Sequence, residues 1–144
     1  MNKKQKNLTN KGFSLVELII VIAIMAVLVG VLAPQYLKYV KSSKISTDIT
    51  NAQEIATAFN TAIADQKITV AGSQSGAGGA AVTDVENMTK FPTSKVNAAY
   101  VWVVTYDLNS GVTSIKLGTD ATHGTEIYPD ATSAGHYQPI EAAK

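Results

Sequence analysis

The sequence predicts an α+β protein in which a long N-terminal helix packs on a small antiparallel sheet. Three observations lead to this fold class. The run from Leu18 to Ala33 contains no charged or strongly polar side chain, and apolar residues then continue at helical spacing. Two segments rich in aromatic and β-branched residues follow around a short turn. A chain of 144 residues accommodates about one such domain.

The first half of the helix is predicted to enter a membrane. The segment from Phe13 to Ala33 holds 21 residues, and as a helix it would be roughly 30 Å long, enough to cross the hydrocarbon core of a bilayer. Lysines concentrated ahead of it favour a cytoplasmic N-terminus. Lys38, Lys41 and Lys44 follow the segment, so the difference in positive charge between its two sides is modest. We therefore predict a membrane-spanning half helix at residues 13–34, preceded by the basic residues 1–12.

Proline and an apolar stripe define the second half of the helix, predicted at residues 35–66. Pro34 lacks an amide hydrogen and clashes with the carbonyl four residues earlier, so we expect a kink there; alternatively, it ends the apolar span. The spacing beyond it indicates one apolar face. That face is predicted to comprise Ile45, Ile49, Ala52, Ala56, Phe59 and Ile63, with Asp48, Thr50, Asn51, Glu54, Thr57, Asn60 and Asp65 on the other faces.

The remaining residues, 67–144, are predicted to form a globular head with a small sheet. Residues 71–81 have no charge and no large apolar group, so we expect a flexible surface loop. Residues 100–106 and 112–117 read as two strands joined by a turn at residues 107–111. A weaker third strand is expected at residues 126–128 or near Tyr137. A hairpin alone is marginally stable, so it is expected to pack on the apolar face of the helix.

The start of the apolar run carries a specific motif. Residues 11–18 read Lys-Gly-Phe-Ser-Leu-Val-Glu-Leu, which resembles the class III signal of type IV prepilins and pseudopilins. The resemblance implies that residues 1–12 are a class III leader peptide, which a prepilin peptidase removes by cleavage between Gly12 and Phe13, and that Phe13 is then N-methylated. It also implies that Glu17 pairs with the N-terminal amine of a neighbouring subunit and sets the register of a filament. Related pilins also carry a proline at the position of Pro34.

Two other interpretations of this segment remain open. An ordinary secretory signal would have a shorter apolar region and a small-residue cleavage site. Val31-Leu32-Ala33 resembles such a site, but Pro34 directly after it disfavours cleavage. A plain membrane anchor has the right length but leaves Glu17 to hydrate near the interface, since an acid within the span costs on the order of 3 kcal/mol.

The resemblance implies a structural subunit with the pilin fold, which polymerises into a filament of identical copies. Membrane lipid, a prepilin peptidase, an assembly ATPase and a platform membrane protein would be its partners. It would occupy the cytoplasmic membrane before assembly and the cell surface afterwards, where such filaments serve adhesion, aggregation, motility or DNA uptake. The alternatives are a pseudopilin of a secretion or competence system and an anchored binding or enzymatic domain that never polymerises. Because it contains no cysteine, the chain resembles the disulfide-free pilins of Gram-positive bacteria.

Composition argues against several other functions. The chain has no arginine, and without residues 1–12 it carries eight lysines against eleven acids, so no dedicated nucleic-acid site is predicted. The absence of cysteine excludes thiolate chemistry, and no motif joins a nucleophile to a base. We predict neither an enzyme nor a cofactor. His123 and His136 lie in polar loops. Four acids could in principle bind calcium but form no binding motif, namely Asp107, Asp120, Glu126 and Asp130. No metal is therefore predicted.

Overall fold

The chain consists of two units, which divide after Tyr39. A computed structural model describes residues 12–129. The helix α1 runs from Leu15 to Ala64, so that its first part belongs to residues 12–39 and its second part to residues 40–129. The predicted limits of residues 13 and 66 are therefore each within two residues of the observed ones.

In the first unit, α1 is solvent-exposed all round. Every residue from Gly12 to Tyr39 is exposed, and α1 contains a stretch long and apolar enough to cross a membrane, none of which is buried. The helix continues through Pro34, so the proline does not terminate it. The predicted kink at this residue stays a prediction.

The second unit is built on a four-stranded antiparallel sheet in the order β1-β2-β3-β4. The strands are β1 (Gly72–Ala77), β2 (Val101–Asp107), β3 (Gly111–Gly118) and β4 (Gly124–Tyr128). The two strands predicted from their aromatic and β-branched residues are β2 and β3, and the weaker third prediction corresponds to β4. The alternative position near Tyr137 lies outside the described residues.

The second part of α1 packs on one face of this sheet and forms the core. The predicted stripe is confirmed: Ala52, Ala56 and Phe59 are buried, and Ile45, Ile49 and Ile63 pack against the same core while partly exposed. The buried face is wider than predicted, because Ile55, Ala58 and Ala62 also contribute. From the sheet come Trp102, Val104, Tyr106, Val112, Ile115 and Leu117.

A ring contact joins the helix to the sheet, and a hydrogen bond joins the sheet to the segment before β2. The rings of Phe59 and Tyr106 lie 5.4 Å apart between centroids in a tilted arrangement. The fully buried Trp102 donates its indole N–H to the carbonyl of Pro92 at 2.7 Å. The α+β fold predicted from the sequence is therefore confirmed, and it matches the pilin architecture that the resemblance implied.

The prediction of a flexible loop at residues 71–81 is wrong for its greater part. Residues 72–77 form β1, whose backbone pairs with residues 101–106 of β2, from Gly72↔Tyr106 to Ala77↔Val101. The side-chain amide of Gln74 then pairs with the backbone of Thr83, donating to its carbonyl at 2.8 Å and accepting from its amide at 3.0 Å. Backbone pairing thus fixes a segment whose side chains have little to bury.

The placement of Asp48 away from the core was also wrong. Its side chain is completely buried and accepts three hydrogen bonds: from the Ser94 hydroxyl at 2.6 Å, the Lys95 amide at 2.8 Å and the Val96 amide at 3.2 Å. A buried carboxylate is tolerated when its lone pairs are satisfied in this way. Asp48 therefore fastens the segment before β2 to the helix.

The turn between β2 and β3 is confirmed, and it contacts α1. Gly111 has a φ of 75°, which a residue with a side chain adopts at a cost. A Cβ there would also collide with the amide oxygen of Asn60, which instead accepts the amide of Val112 at 2.8 Å. Asp107 closes the turn by accepting the amide of Asn109 at 2.8 Å.

The acids weighed as calcium ligands do not converge. Asp107 is the last residue of β2 and Asp120 lies in the β3–β4 turn, so the two are at opposite ends of β3. Asp130 lies outside the described residues. Among residues 12–129, no group of three or more acids or histidines is placed to hold a metal ion. Asp120 instead accepts hydrogen bonds from the backbone and side chains of Thr122 and His123.

Candidate processing and assembly site

The Gly12–Phe13 peptide bond lies in the non-helical residues just before the helix. Both residues are exposed, Phe13 by 91%, and α1 begins two residues later. Apart from the residues on either side of it, no described residue has a heavy atom within 4 Å of where a Cβ on Gly12 would stand. The predicted cleavage position is therefore sterically open, and the absence of a side chain at Gly12 allows close approach to its backbone.

Ser14 and Glu17 cap the start of the helix. The first helical hydrogen bond runs from the Leu18 amide to the Ser14 carbonyl at 3.1 Å, which makes Ser14 the N-cap. The Ser14 hydroxyl accepts the amide of Glu17 at 3.2 Å, and the Glu17 carboxylate accepts the amide of Ser14 at 3.1 Å. This reciprocal pair is a capping box.

Ser14 is a residue that our sequence-based prediction missed. The signal was present: a serine followed three residues later by glutamate, directly before an apolar run, is the signature of a capping box. The capping box also gives Glu17 a role within its own chain, and this role depends neither on a neighbouring subunit nor on hydration at a membrane interface. The partial positive charge of the helix N-terminus also favours a negatively charged side chain such as Glu17 in the first turn.

The carboxylate of Glu17 has room for a second partner. The Ser14 amide binds Oε2, and among residues 12–129 no donor binds Oε1. A carboxylate accepts through both oxygens, so an amine can bind Oε1 while the capping box stays closed. The geometry is therefore compatible with both a capping role and an intermolecular ion pair.

The helix that follows this cap is covered with exposed apolar side chains. From Leu15 to Leu32, every large apolar side chain is at least half exposed; the least exposed of them, Ile20 and Val21, are each 51% exposed. A helix that is apolar all round is stable when lipid or protein covers it. Burying this surface releases roughly 25 cal/mol for each Å² removed from water, which makes the segment a strong membrane and association element.

The predicted site residues fall into one close group and one distant residue. Gly12, Phe13 and Glu17 lie within the first turn of the helix or directly before it, together with Ser14. Pro34 is 17 residues beyond Glu17, or about 26 Å along a regular helix. It removes the donor that would bind the carbonyl of Gly30 and is not part of the capped N-terminus.

Comparison with known proteins bears directly on this N-terminal segment. Residues 8–33 match the family described as the prokaryotic N-terminal methylation motif. The chain is 39% identical over 57 residues to the type IV major fimbrial protein FimA of Dichelobacter nodosus, which covers 40% of this chain and 36% of that protein. It is 35% identical over 57 residues to a fimbrial protein of Pseudomonas aeruginosa, covering 40% and 37%.

The similarity thus spans little more than a third of the length of these curated relatives, and no solved structure matches the chain. Within those limits, the predicted resemblance is confirmed: the chain carries the N-terminal methylation motif and, over 57 residues, is homologous to type IV fimbrial proteins. The further likeness to Gram-positive pilins stays a prediction.

Proposed function

We propose that this protein is a type IV pilin precursor and that its mature form is the structural subunit of a surface filament. A prepilin peptidase cuts between Gly12 and Phe13 and methylates the new amine of Phe13. The mature chain is held in the cytoplasmic membrane by residues 13–34 and is then packed into a homopolymer. It acts as a building block and performs no catalysis itself.

One observation carries this proposal: the methylation motif at residues 8–33 includes the start of a helix whose apolar side chains are exposed on every side from Leu15 to Leu32. A core helix of a soluble domain would bury that surface. A filament buries it between copies after the membrane has held it, so the same side chains serve insertion and cohesion.

Glu17 supplies the register of assembly in this proposal. Cleavage creates an ammonium group at Phe13, four residues before Glu17, and both groups enter an apolar surrounding. A buried carboxylate is tolerated there when it is paired, and removal of one partner strands the other at a cost of several kcal/mol. Pairing between the amine of one copy and the open Oε1 of the next fixes their axial offset.

The machinery implied by this proposal includes the prepilin peptidase, an assembly ATPase and a platform membrane protein. The N-terminus lies in the cytoplasm before cleavage, as the leader lysines favour, and the head faces the exterior. The assembled filament would serve adhesion, aggregation, motility or DNA uptake.

Substitution at the cleavage position tests the proposal. We expect Gly12→Val to block processing, because a branched side chain obstructs the approach to the scissile bond, so that intact mass shows residues 1–12 retained and fibres are absent by electron microscopy. Asn10→Val places the same side chain two positions upstream and is expected to leave processing and fibres unchanged.

The same experiment separates the alternatives. Normal cleavage without surface fibres in the unmodified protein would favour a pseudopilin of a secretion or competence system. Retention of residues 1–12 in the unmodified protein would contradict processing altogether and leave a membrane-anchored domain that does not polymerise.

A further inference from the structure

The side of α1 that faces away from the core carries an unusual row of threonines. A solvent-facing helix surface normally bears charged and flexible polar residues, but here the hydroxyls are all turned back on their own helix. Each donates to the carbonyl four residues earlier, at 2.9–3.0 Å. The four residues are Thr47, Thr50, Thr57 and Thr61.

These internal hydrogen bonds change the cost of covering the surface. A hydroxyl that must give up water without gaining a partner costs free energy on burial. Here the donor of each threonine is already satisfied within the helix, and its methyl group remains for packing. Threonine is also one of the small residues that let associating helices approach closely. This face is therefore suited to being covered by protein.

A groove runs along the same face. Its floor contains Thr50, Thr57 and Thr61, Asn87 and Met88 form part of its wall, and its volume is about 400 Å³. Glu54 is the one charged residue among the described residues that line it. An occupant must therefore offer small or aliphatic contacts and a single cation.

We infer that this groove is covered by a second copy of the same chain, with Lys44 of that copy beside Glu54. Both residues are exposed, and neither forms an ion pair within residues 12–129. They are ten residues apart on α1, so a parallel copy displaced by about 15 Å along the helix axis brings the two charges level. This inference rests on the proposed filament.

The contact is of the kind that propagates. One copy contributes Glu54 and still has its own Lys44 to offer, and the next copy contributes Lys44 and still has its own Glu54. Such a heterologous contact builds an open helical array unless its rotation closes a ring. An offset of this size also differs from the roughly 6 Å that separates Phe13 from Glu17 along a helix, so the two contacts join different pairs of neighbours.

Cysteine labelling tests the covered groove, because the chain contains no cysteine of its own. Thr57→Cys is reacted with a polyethylene-glycol maleimide in sheared filaments and in detergent-solubilised monomers. We expect labelling at least about tenfold slower in filaments. Thr113→Cys is the matched control, because Thr113 is also exposed and its hydroxyl also bonds a backbone carbonyl, that of Thr105 at 3.1 Å, but it lies on β3.

The outcomes separate this contact from the filament itself. Absence of fibres from the unmodified protein overturns the proposed function. Fibres of the Thr57→Cys variant whose thiol reacts as fast as in monomers leave the proposed function standing and overturn the groove contact. A carbohydrate mass on Asn87 in those fibres would place a glycan in the groove and also overturn it.

A charge exchange tests the partner residue. We expect Glu54→Lys and Lys44→Glu each to reduce filament yield at least about fivefold, and the combined exchange to restore it. Failure of the exchange to restore filaments would overturn the assignment of Lys44. Glu86→Lys is the control, because it reverses an exposed acid that does not line the groove and that pairs with Lys67 at 2.9 Å. We expect the Glu86→Lys variant to give an unchanged filament yield.

Discussion

Ser14 and Glu17 hold each other at the start of α1: the amide of each is bound by the side chain of the other, at 3.1 and 3.2 Å. Glu17 consequently has two carboxylate oxygens for two roles, one within the helix cap and one between subunits. Oε2 closes the capping box, and Oε1 remains for the amine that defines the register in the proposed filament. The local and intermolecular roles can therefore be separated by substitution.

Replacement of the acid tests the intermolecular role. We expect Glu17→Ala to leave cleavage after Gly12 intact but to reduce filament yield at least about tenfold, because an unpaired amine in apolar surroundings costs several kcal/mol. Yield is measured by shearing and quantifying filaments from cells that contain equal amounts of processed subunit. Glu86→Ala, which removes an acid from an exposed ion pair, should leave the yield unchanged. Equal filament yields for Glu17→Ala and the unmodified protein would contradict the register role.

Replacement of the serine tests the local role. We expect Ser14→Ala to destabilise the first turn by about 1 kcal/mol, the usual cost of losing an N-cap. Faster amide hydrogen exchange in detergent micelles at Glu17 and Leu18, whose amides bind the hydroxyl and the carbonyl of Ser14, would report this loss. Ser14→Thr keeps a hydroxyl at the same position and should restore protection; unchanged exchange in Ser14→Ala would contradict the capping box.

The buried carboxylate of Asp48 makes a strong prediction for stability. Asp48→Ala leaves the Ser94 hydroxyl and the Lys95 and Val96 amides without their acceptor, so we expect a loss of about 3–5 kcal/mol in the free energy of unfolding. Fluorescence of the single Trp102 follows unfolding of the full chain in detergent. Asp65→Ala removes an exposed acid near the end of the same helix and should change stability by less than about 0.5 kcal/mol. A similar small change for Asp48→Ala would contradict its fastening role.

Asp120 makes a prediction about pH. The Thr122 hydroxyl, followed by the backbone amides of His123 and Thr122, holds the pKa of Asp120 below its usual range. Because the folded pKa is lowered, the turn is stabilised above the ordinary pKa of an aspartate and loses this contribution as the pH falls below it. We expect Thr122→Val to raise the pKa of Asp120, measured by NMR titration of its side-chain carboxyl carbon. An unchanged pKa of Asp120 in the Thr122→Val variant would contradict the conclusion that the Thr122 hydroxyl lowers it.

Sequence patterns predicted the elements whose own side chains determine their structure. The apolar run and the stripe through Phe59 give α1, and the β-branched segments give β2 and β3. Segment β1 was missed because Gly-Ser-Gln-Ser-Gly-Ala has no β-forming side chains; β2 and the Gln74 side chain impose its conformation. A strand of this kind is determined by its partner and not by its own composition.

Asp48 shows the corresponding limit for the helix. It lies on the helix side that the apolar stripe marks, but a charged residue is ordinarily assigned to solvent. Its partner Ser94 is 46 residues away, so no local pattern announces that the carboxylate will be satisfied inside. The cleavage motif, by contrast, is contiguous in the sequence, and residues 11–18 were sufficient to predict the resemblance that comparison confirmed.

The most direct test of the account is the intact mass and N-terminal sequence of protein sheared from the cell surface. The account predicts filaments whose subunit begins at Phe13, carries one additional methyl group on its amine and lacks residues 1–12. A full-length chain that is recovered from the membrane fraction, with no filament in the sheared material, would contradict it.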